Sequence, residues 1–158
     1  MDTDADKART DALAFLKRHR TGVLATAGHD NIPHASVVHY TADDKFSIYI
    51  MTLTNSRKYE ALKAHPQVAF TIFTEETPQT LQIEGMAADI STSPEAGIKK
   101  DELFDVLNKN PLFYPPITKL DTHDTAIVWI QPKWIRWADY AFGEDGTDRV
   151  LKEIEINP

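Results

Sequence analysis

The order of its β-type runs restricts the fold of this chain more than any other feature. Short segments rich in Val, Ile, Thr and aromatic residues succeed one another, some joined by turn clusters and some by helical stretches. That order is too irregular for the strand–helix alternation of a parallel doubly wound sheet. Residues 23–26 and 35–40 read as strands around the turn cluster Gly28-His29-Asp30-Asn31. Asp43-Asp44-Lys45 then turns the chain into a strand over 46–51. Strands over 67–73 and 80–91 flank Glu75-Glu76-Thr77-Pro78, with Gly85 as a bulge or bend in the longer one. Residues 126–137 form the last main strand, interrupted at Pro132, and 150–156 an edge strand. The expected fold is mainly β, an antiparallel barrel or sandwich with flanking helices.

Three helices are expected between these strands. Ala8, Ala12, Phe15 and Leu16 fall close to one helical face, with Asp2 or Thr3 as cap, and Gly22 breaks the pattern. Residues 56–65 form a short helix with Tyr59 and Leu62 on one side, ended by Pro66. Ser93-Pro94-Glu95 is a helix start, serine as cap and proline in the first turn, and that helix turns Ile98, Leu103, Val106 and Leu107 inward. The stretch 110–116 is too proline-rich to be regular. At 158 residues, without internal repeat or low-complexity linker, the chain is expected to form one domain over 1–158.

Composition narrows the chemistry. The absence of cysteine excludes a disulfide scaffold, thiolate metal sites and a cysteine nucleophile, so redox activity would have to come from a bound cofactor. A net charge of −7 argues against a nucleic-acid or anionic-membrane partner. No apolar stretch approaches membrane-spanning length and the N-terminus is acidic, so the expected location is cytoplasmic.

One segment concentrates positive charge where a strand gives way to a helix: Thr52-Leu53-Thr54-Asn55-Ser56-Arg57-Lys58. A helix start offers unpaired N–H groups and partial positive charge, and hydroxyls with two bases complete a cradle suited to phosphate. Capping alone accounts for Asn55 or Ser56. It does not account for consecutive bases in a first turn, which oppose the helix dipole by about 0.3–1 kcal/mol per charge.

Pro33-His34-Ala35-Ser36-Val37-Val38, Ile48-Tyr49-Ile50-Met51-Thr52, Ser56-Arg57-Lys58, His65-Pro66 and Gln82-Ile83-Glu84-Gly85 occur in that order. The pattern resembles the pyridoxamine 5′-phosphate oxidase-like flavoproteins, and among them the general stress protein branch. The resemblance spans residues 12–90 well and 124–140 loosely. It implies an FMN-binding split β-barrel, a homodimer with the cofactor at the interface, and an oxidoreductase acting on a small molecule. By the same resemblance Ser36, Val37 and Val38 line the flavin ring, together with Met51 and Thr52. Ser56, Arg57 and Lys58 hold the phosphate, Thr80 or Gln82 reaches the flavin edge, and the partner's C-terminal strand around Trp134 to Trp137, Trp137 foremost, covers the ring. Where the oxidase carries bases on the first flavin strand, this chain has Ser36 and Thr41, and it lacks the oxidase's terminal arginine–histidine motif. These departures argue against oxidation of pyridoxamine phosphate itself. They leave open a deazaflavin-dependent reductase or a non-enzymatic flavin- or haem-binding stress protein.

Other constellations are bland. His34 and His39, five apart on a strand, face opposite ways, and His29 and His65 lack ligand-spaced partners, so no metal site is expected. His34 remains a candidate substrate contact. Asp43-Asp44 and Glu75-Glu76 fall in turns, and no residue stands out as a general acid or base. Trp129, Trp134, Trp137 and Tyr140 read as core or dimer contacts.

Overall fold

The computed structural model describes residues 3–109, 124–141 and 150–157. Its elements run α1 (Asp4–Arg18), β1 (Thr21–Ala27), β2 (Pro33–His39), β3 (Thr41–Ala42), β4 (Ile48–Leu53), α2 (Arg57–Ala64), β5 (Gln67–Thr74), β6 (Gln79–Asp89), α3 (Ala96–Asn108), β7 (Thr125–Asp139) and β8 (Leu151–Glu153). The strands form one antiparallel sheet in the order β2-β1-β5-β6-β7-β4-β3, curled into a half-barrel. Beside β6, the long β7 uses its first half to pair with β4 and residues Arg136–Ala138 to pair with β8. The mainly β, antiparallel expectation holds.

The curled sheet buries one face. Leu24, Ile50, Phe70, Leu81, Ile83, Ile130 and Ile135 alternate inward along their strands, and α1 covers them with Ala12, Phe15 and Leu16. Each large side chain buried there contributes about 1.5–3 kcal/mol against its exposed state. Thr3 caps α1 through a reciprocal capping box with Asp6. At the other end Tyr40, itself buried, donates its hydroxyl to the Leu16 carbonyl at 2.6 Å, satisfying a last-turn acceptor. Gly22 does more than stop a helix. A Cβ there would stand 2.2 Å from Cζ of Phe70, so the position lets the Phe70 ring cross β1.

The bulge falls at Gly85, as expected. Glu84 pairs with Trp134 but Gly85 pairs with Pro132, which leaves Lys133 unpaired. A Cβ on Gly85 would lie 2.6 Å from the Gln131 carbonyl oxygen. The strand therefore passes through Pro132 instead of ending there.

Three local readings need correction. Phe46 precedes β4 rather than opening it: its φ is +63°, and the turn is held by Asp43 Oδ1, which accepts from the backbone N–H groups of Lys45 and Ser47. Left-handed backbone at a bulky residue is costly, and the return is a fully buried ring under the Arg9 guanidinium, 5.1 Å away. Ser93 does not cap α3, which begins at Ala96 after a non-capping Glu95. Ile98 points outward, 64% exposed, while Leu103 and Leu107 are buried and Val106 half-buried. The proline-rich 110–116 stretch and His123 lie outside the described residues.

Candidate functional site

The strand-to-helix segment folds into a compact set of donors. β4 ends with Thr52 on its buried face, and the turn closes with Ser56 N–H donating to the Leu53 carbonyl at 3.1 Å. Ser56, in extended backbone, is the N-cap of α2, and its Oγ accepts from Tyr59 N–H at 3.1 Å. The Thr52 and Ser56 hydroxyls lie 3.1 Å apart. One hydroxyl proton serves that contact, so the other is left for an outside acceptor.

Arg57 reaches back across the cleft to the start of β2. Its Nη2 stands 3.0 Å from Nε2 and 3.3 Å from Nδ1 of His34. One donor cannot align with two divergent ring lone pairs, so the guanidinium lies against the imidazole instead of bonding it in plane. Lys58, next along α2, is half-buried and has no hydrogen-bond or ion-pair partner among the described residues. Burial lowers its pKa below the ordinary 10.5. A cation drawn from water without a carboxylate to meet it is a site short of an anion.

The remaining expected residues divide between the two faces of the sheet. Ser36 and Val38 share the inward side of β2 with His34, and Val38 is buried. Val37 points the other way and is 73% exposed. Met51, half-buried, faces away from Thr52 on β4. Thr80 and Gln82 do share a face, as strand alternation requires, but it is the outer face of the sheet, opposite Leu81 and Ile83. The structure thus brings His34, Thr52, Ser56 and Arg57 together, while Thr80 and Gln82 stand apart from them within one chain. Trp137 is on neither open face. Its ring is 4% exposed and packs edge-on against Phe15, centroids 5.0 Å apart, so in this chain it is committed to the core instead of presented to a partner's cofactor.

On the outer face lies a residue that sequence reasoning missed. Arg136 donates to Gln82 Oε1 through Nε at 2.9 Å and Nη2 at 2.5 Å, and its guanidinium lies 5.3 Å from the Trp134 ring centroid. These side chains border a cleft of about 290 Å³ with Val23, Ala25 and Thr71. Gln82 and Arg136 are direct cross-strand neighbours only because the bulge shifts the register by one residue, and no spacing rule in the sequence reveals that.

A larger cavity of about 660 Å³ between the Asp43–Ser47 turn and Ser93–Glu95 gathers none of the expected residues. Among the described residues, no group of three His, Asp or Glu side chains is arranged to hold a metal. His29 and His65 approach with ring centroids 6.4 Å apart and have no third partner. No helix of the described residues is long and apolar enough to cross a membrane.

Comparison with known proteins bears on this geometry. Residues 9–137 match the sequence profile of the pyridoxamine 5′-phosphate oxidase family. The chain belongs to that family. Its fold is shared with an F420 reductase (25% identity, 77% of this chain and 93% of that one, TM-score 0.61). It is also shared with General Stress Protein 26 of Bacillus anthracis (22% identity, 80% and 91%, TM-score 0.58). A heme binding protein of Mycobacterium smegmatis aligns over 99% of this chain and 59% of its own length, at 16% identity and TM-score 0.71. Among proteins of curated function, none matches this chain. Members of the pyridoxamine 5′-phosphate oxidase family typically bind flavin, and the donor set at the start of α2 has the chemistry of a phosphate seat.

Proposed function

We propose that this protein is an FMN-dependent oxidoreductase that works as a cytoplasmic homodimer on a small molecule. The observation that carries the reading is the anion-seeking end of α2. A spare hydroxyl proton on Thr52 or Ser56, the Arg57 guanidinium and the Lys58 ammonium, which has no partner among the described residues, belong to one helix start. Such a set suits the phosphate monoester that separates FMN from riboflavin. Bound FMN supplies hydride transfer at its isoalloxazine ring, chemistry that a cysteine-free chain cannot provide from its own side chains. The chain's part is to anchor, orient and shield. Ser36 and the backbone of β2 flank the ring, and His34 steadies Arg57 against it.

Two copies complete the site. Thr80 and Gln82 face away from the cradle of their own chain, so a cofactor touching both must lie between one protomer's cradle and the other's outer sheet. That outer sheet exposes Val37 and Phe73 beside the small residues Ala35 and Ala69, an apolar face suited to burial in a dimer.

The decisive measurement is the absorption spectrum of purified protein and the identity of the released chromophore, followed by titration with FMN and sedimentation. The expected result is a yellow dimer binding one FMN per chain and reduced by a nicotinamide donor. A colourless protein that takes up no FMN overturns the reading. A released deazaflavin or haem would reassign the cofactor. A flavin-loaded protein with no turnover would leave a binding protein.

Lys58 gives a second expected result. Its folded pKa lies below the unfolded value, so the unfolded chain binds more protons between the two, and stability rises with pH across that window below 10.5. Lys58→Met removes the buried charge. It should raise the stability of cofactor-free protein at neutral pH by about 0.5–1 kcal/mol and flatten this alkaline rise. The same variant should weaken FMN about 10- to 100-fold. Paired thermal melts at pH 7 and pH 10, with and without FMN, read all three effects.

A further inference from the structure

We propose that Arg136 is a positioning residue that locks the Gln82 carboxamide in one orientation, making Gln82 an obligate hydrogen-bond donor to the acceptor edge of the flavin ring held by the partner protomer's cradle. This rests on the two-copy flavin site above and adds to it a residue pair and a direction of hydrogen bonding.

Both Nε and Nη2 of Arg136 converge on the single oxygen Oε1 of Gln82. A guanidinium carries only donors, so the amide oxygen must face it and the NH₂ group must point away. Rotating the amide by half a turn would set NH₂ against guanidinium and lose both bonds. Among the described residues nothing else bonds to either group. Gln82 Nε2 has no partner among the described residues, and Arg136 has no carboxylate within ion-pair distance there. The guanidinium is itself restrained by the Trp134 ring, and the bulge at Lys133 fixes the register that sets the two residues opposite each other.

The surroundings select what the NH₂ group can meet. The cleft of about 290 Å³ has a floor of small and β-branched side chains, Val23, Ala25 and Thr71, with Trp134 at one side and the Glu84 carboxylate also lining it. That space suits the edge of a planar ring bearing carbonyl oxygens or imine nitrogens, which the amide donates to and the floor packs beneath. At Gln82 itself a ligand N–H group finds no acceptor, because the amide oxygen is already occupied twice.

Three variants test this in the full-length dimer: Gln82→Glu, Arg136→Met and Arg136→Lys. Gln82→Glu keeps the contact with Arg136, now as an ion pair, and removes the amide NH₂ donor. Its affinities for FMN and riboflavin should fall together, by about 5- to 10-fold, since the lost bond is to the ring and not to the phosphate. Arg136→Met frees the amide to rotate and should weaken both ligands in parallel, and Arg136→Lys, which keeps one donor to Oε1, should recover part of the loss. The midpoint potential of bound flavin should shift in Gln82→Glu and stay unchanged in a surface control such as Lys45→Gln. In cofactor-free protein, ¹H–¹⁵N spectra should show the Arg136 Nε–H slowed in exchange, and Gln82→Ala should abolish that protection. Unchanged flavin affinity and potential in Gln82→Glu would overturn the proposal, as would selective loss of FMN alone. If Arg57 and Lys58 variants lose FMN while Gln82 and Arg136 variants bind normally, the flavin reading stands and this one falls. If the folded wild type binds neither flavin, both fall.

Discussion

Replacing Arg57 and Lys58 together by alanine is expected to weaken FMN binding by about 10²–10⁴-fold while moving riboflavin affinity by less than about threefold. Both side chains stand in the first turn of α2, where cations oppose the helix dipole, and Lys58 is also partly withdrawn from water. Each is therefore unfavourable in the free protein and becomes favourable only when a dianion arrives. A charge-assisted bond to phosphate is worth about 1.5–3 kcal/mol, and two lost together give the stated range. Riboflavin has the same ring and no phosphate, so it reports whether the ring site survives the substitution. Flavin fluorescence quenching measures both affinities on one sample. Equal weakening of the two ligands would show that the pair shapes the pocket in general and that the phosphate is held elsewhere. A rise in salt should reduce FMN affinity of the wild type and leave that of the double variant nearly flat, because the screened charges are then gone.

Much of this arrangement could be read from the residues in order. The cradle at 52–58 was legible because its elements are contiguous: a strand end, an N-cap and two bases are neighbours in sequence as well as in space. The bulge at Gly85 was legible for the same reason, since a glycine inside a β-branched run needs a local explanation. What stayed hidden depends on contacts between distant segments. The stacking of Arg57 on His34 joins residues 23 apart, and the Arg136–Gln82 bond joins residues 54 apart through a register displaced by one extra residue. Phe46 misled because its composition suits a strand while its buried ring requires a left-handed turn. Ser93-Pro94-Glu95 misled because proline turns and helix starts share their residues, and only the backbone after Pro94 tells them apart. The family resemblance supplied Trp137 as a cofactor cover. Strand alternation against Leu81 places that indole in the core, and only the register reveals it.

The assignment of the two tryptophans to opposite faces leads to the largest expected effect on stability. Trp137 is 4% exposed and sits beneath α1, its ring edge-on to Phe15 at 5.0 Å. Trp137→Ala removes a large ring from a site that cannot collapse, because α1 is anchored independently by the Tyr40 hydroxyl on the Leu16 carbonyl and the Arg9 guanidinium on the Glu155 carbonyl. The expected cost is about 3–5 kcal/mol, a large share of the roughly 5–15 kcal/mol that holds a domain of this size together. Trp134, three residues away, is half-buried on the outer face and touches Arg136 instead of the core. Trp134→Ala should cost under about 1 kcal/mol in the cofactor-free protein diluted to the monomer. It should act instead on dimerisation and flavin binding, where the outer face is covered. Urea unfolding of both variants at low concentration separates the two roles. Because neighbouring strand residues alternate faces, slipping β7 by one residue would exchange the two tryptophans' environments. A mild Trp137→Ala beside a severe Trp134→Ala would therefore place the bulge beyond Trp137 instead of before Trp134, and would take the Arg136–Gln82 pairing with it.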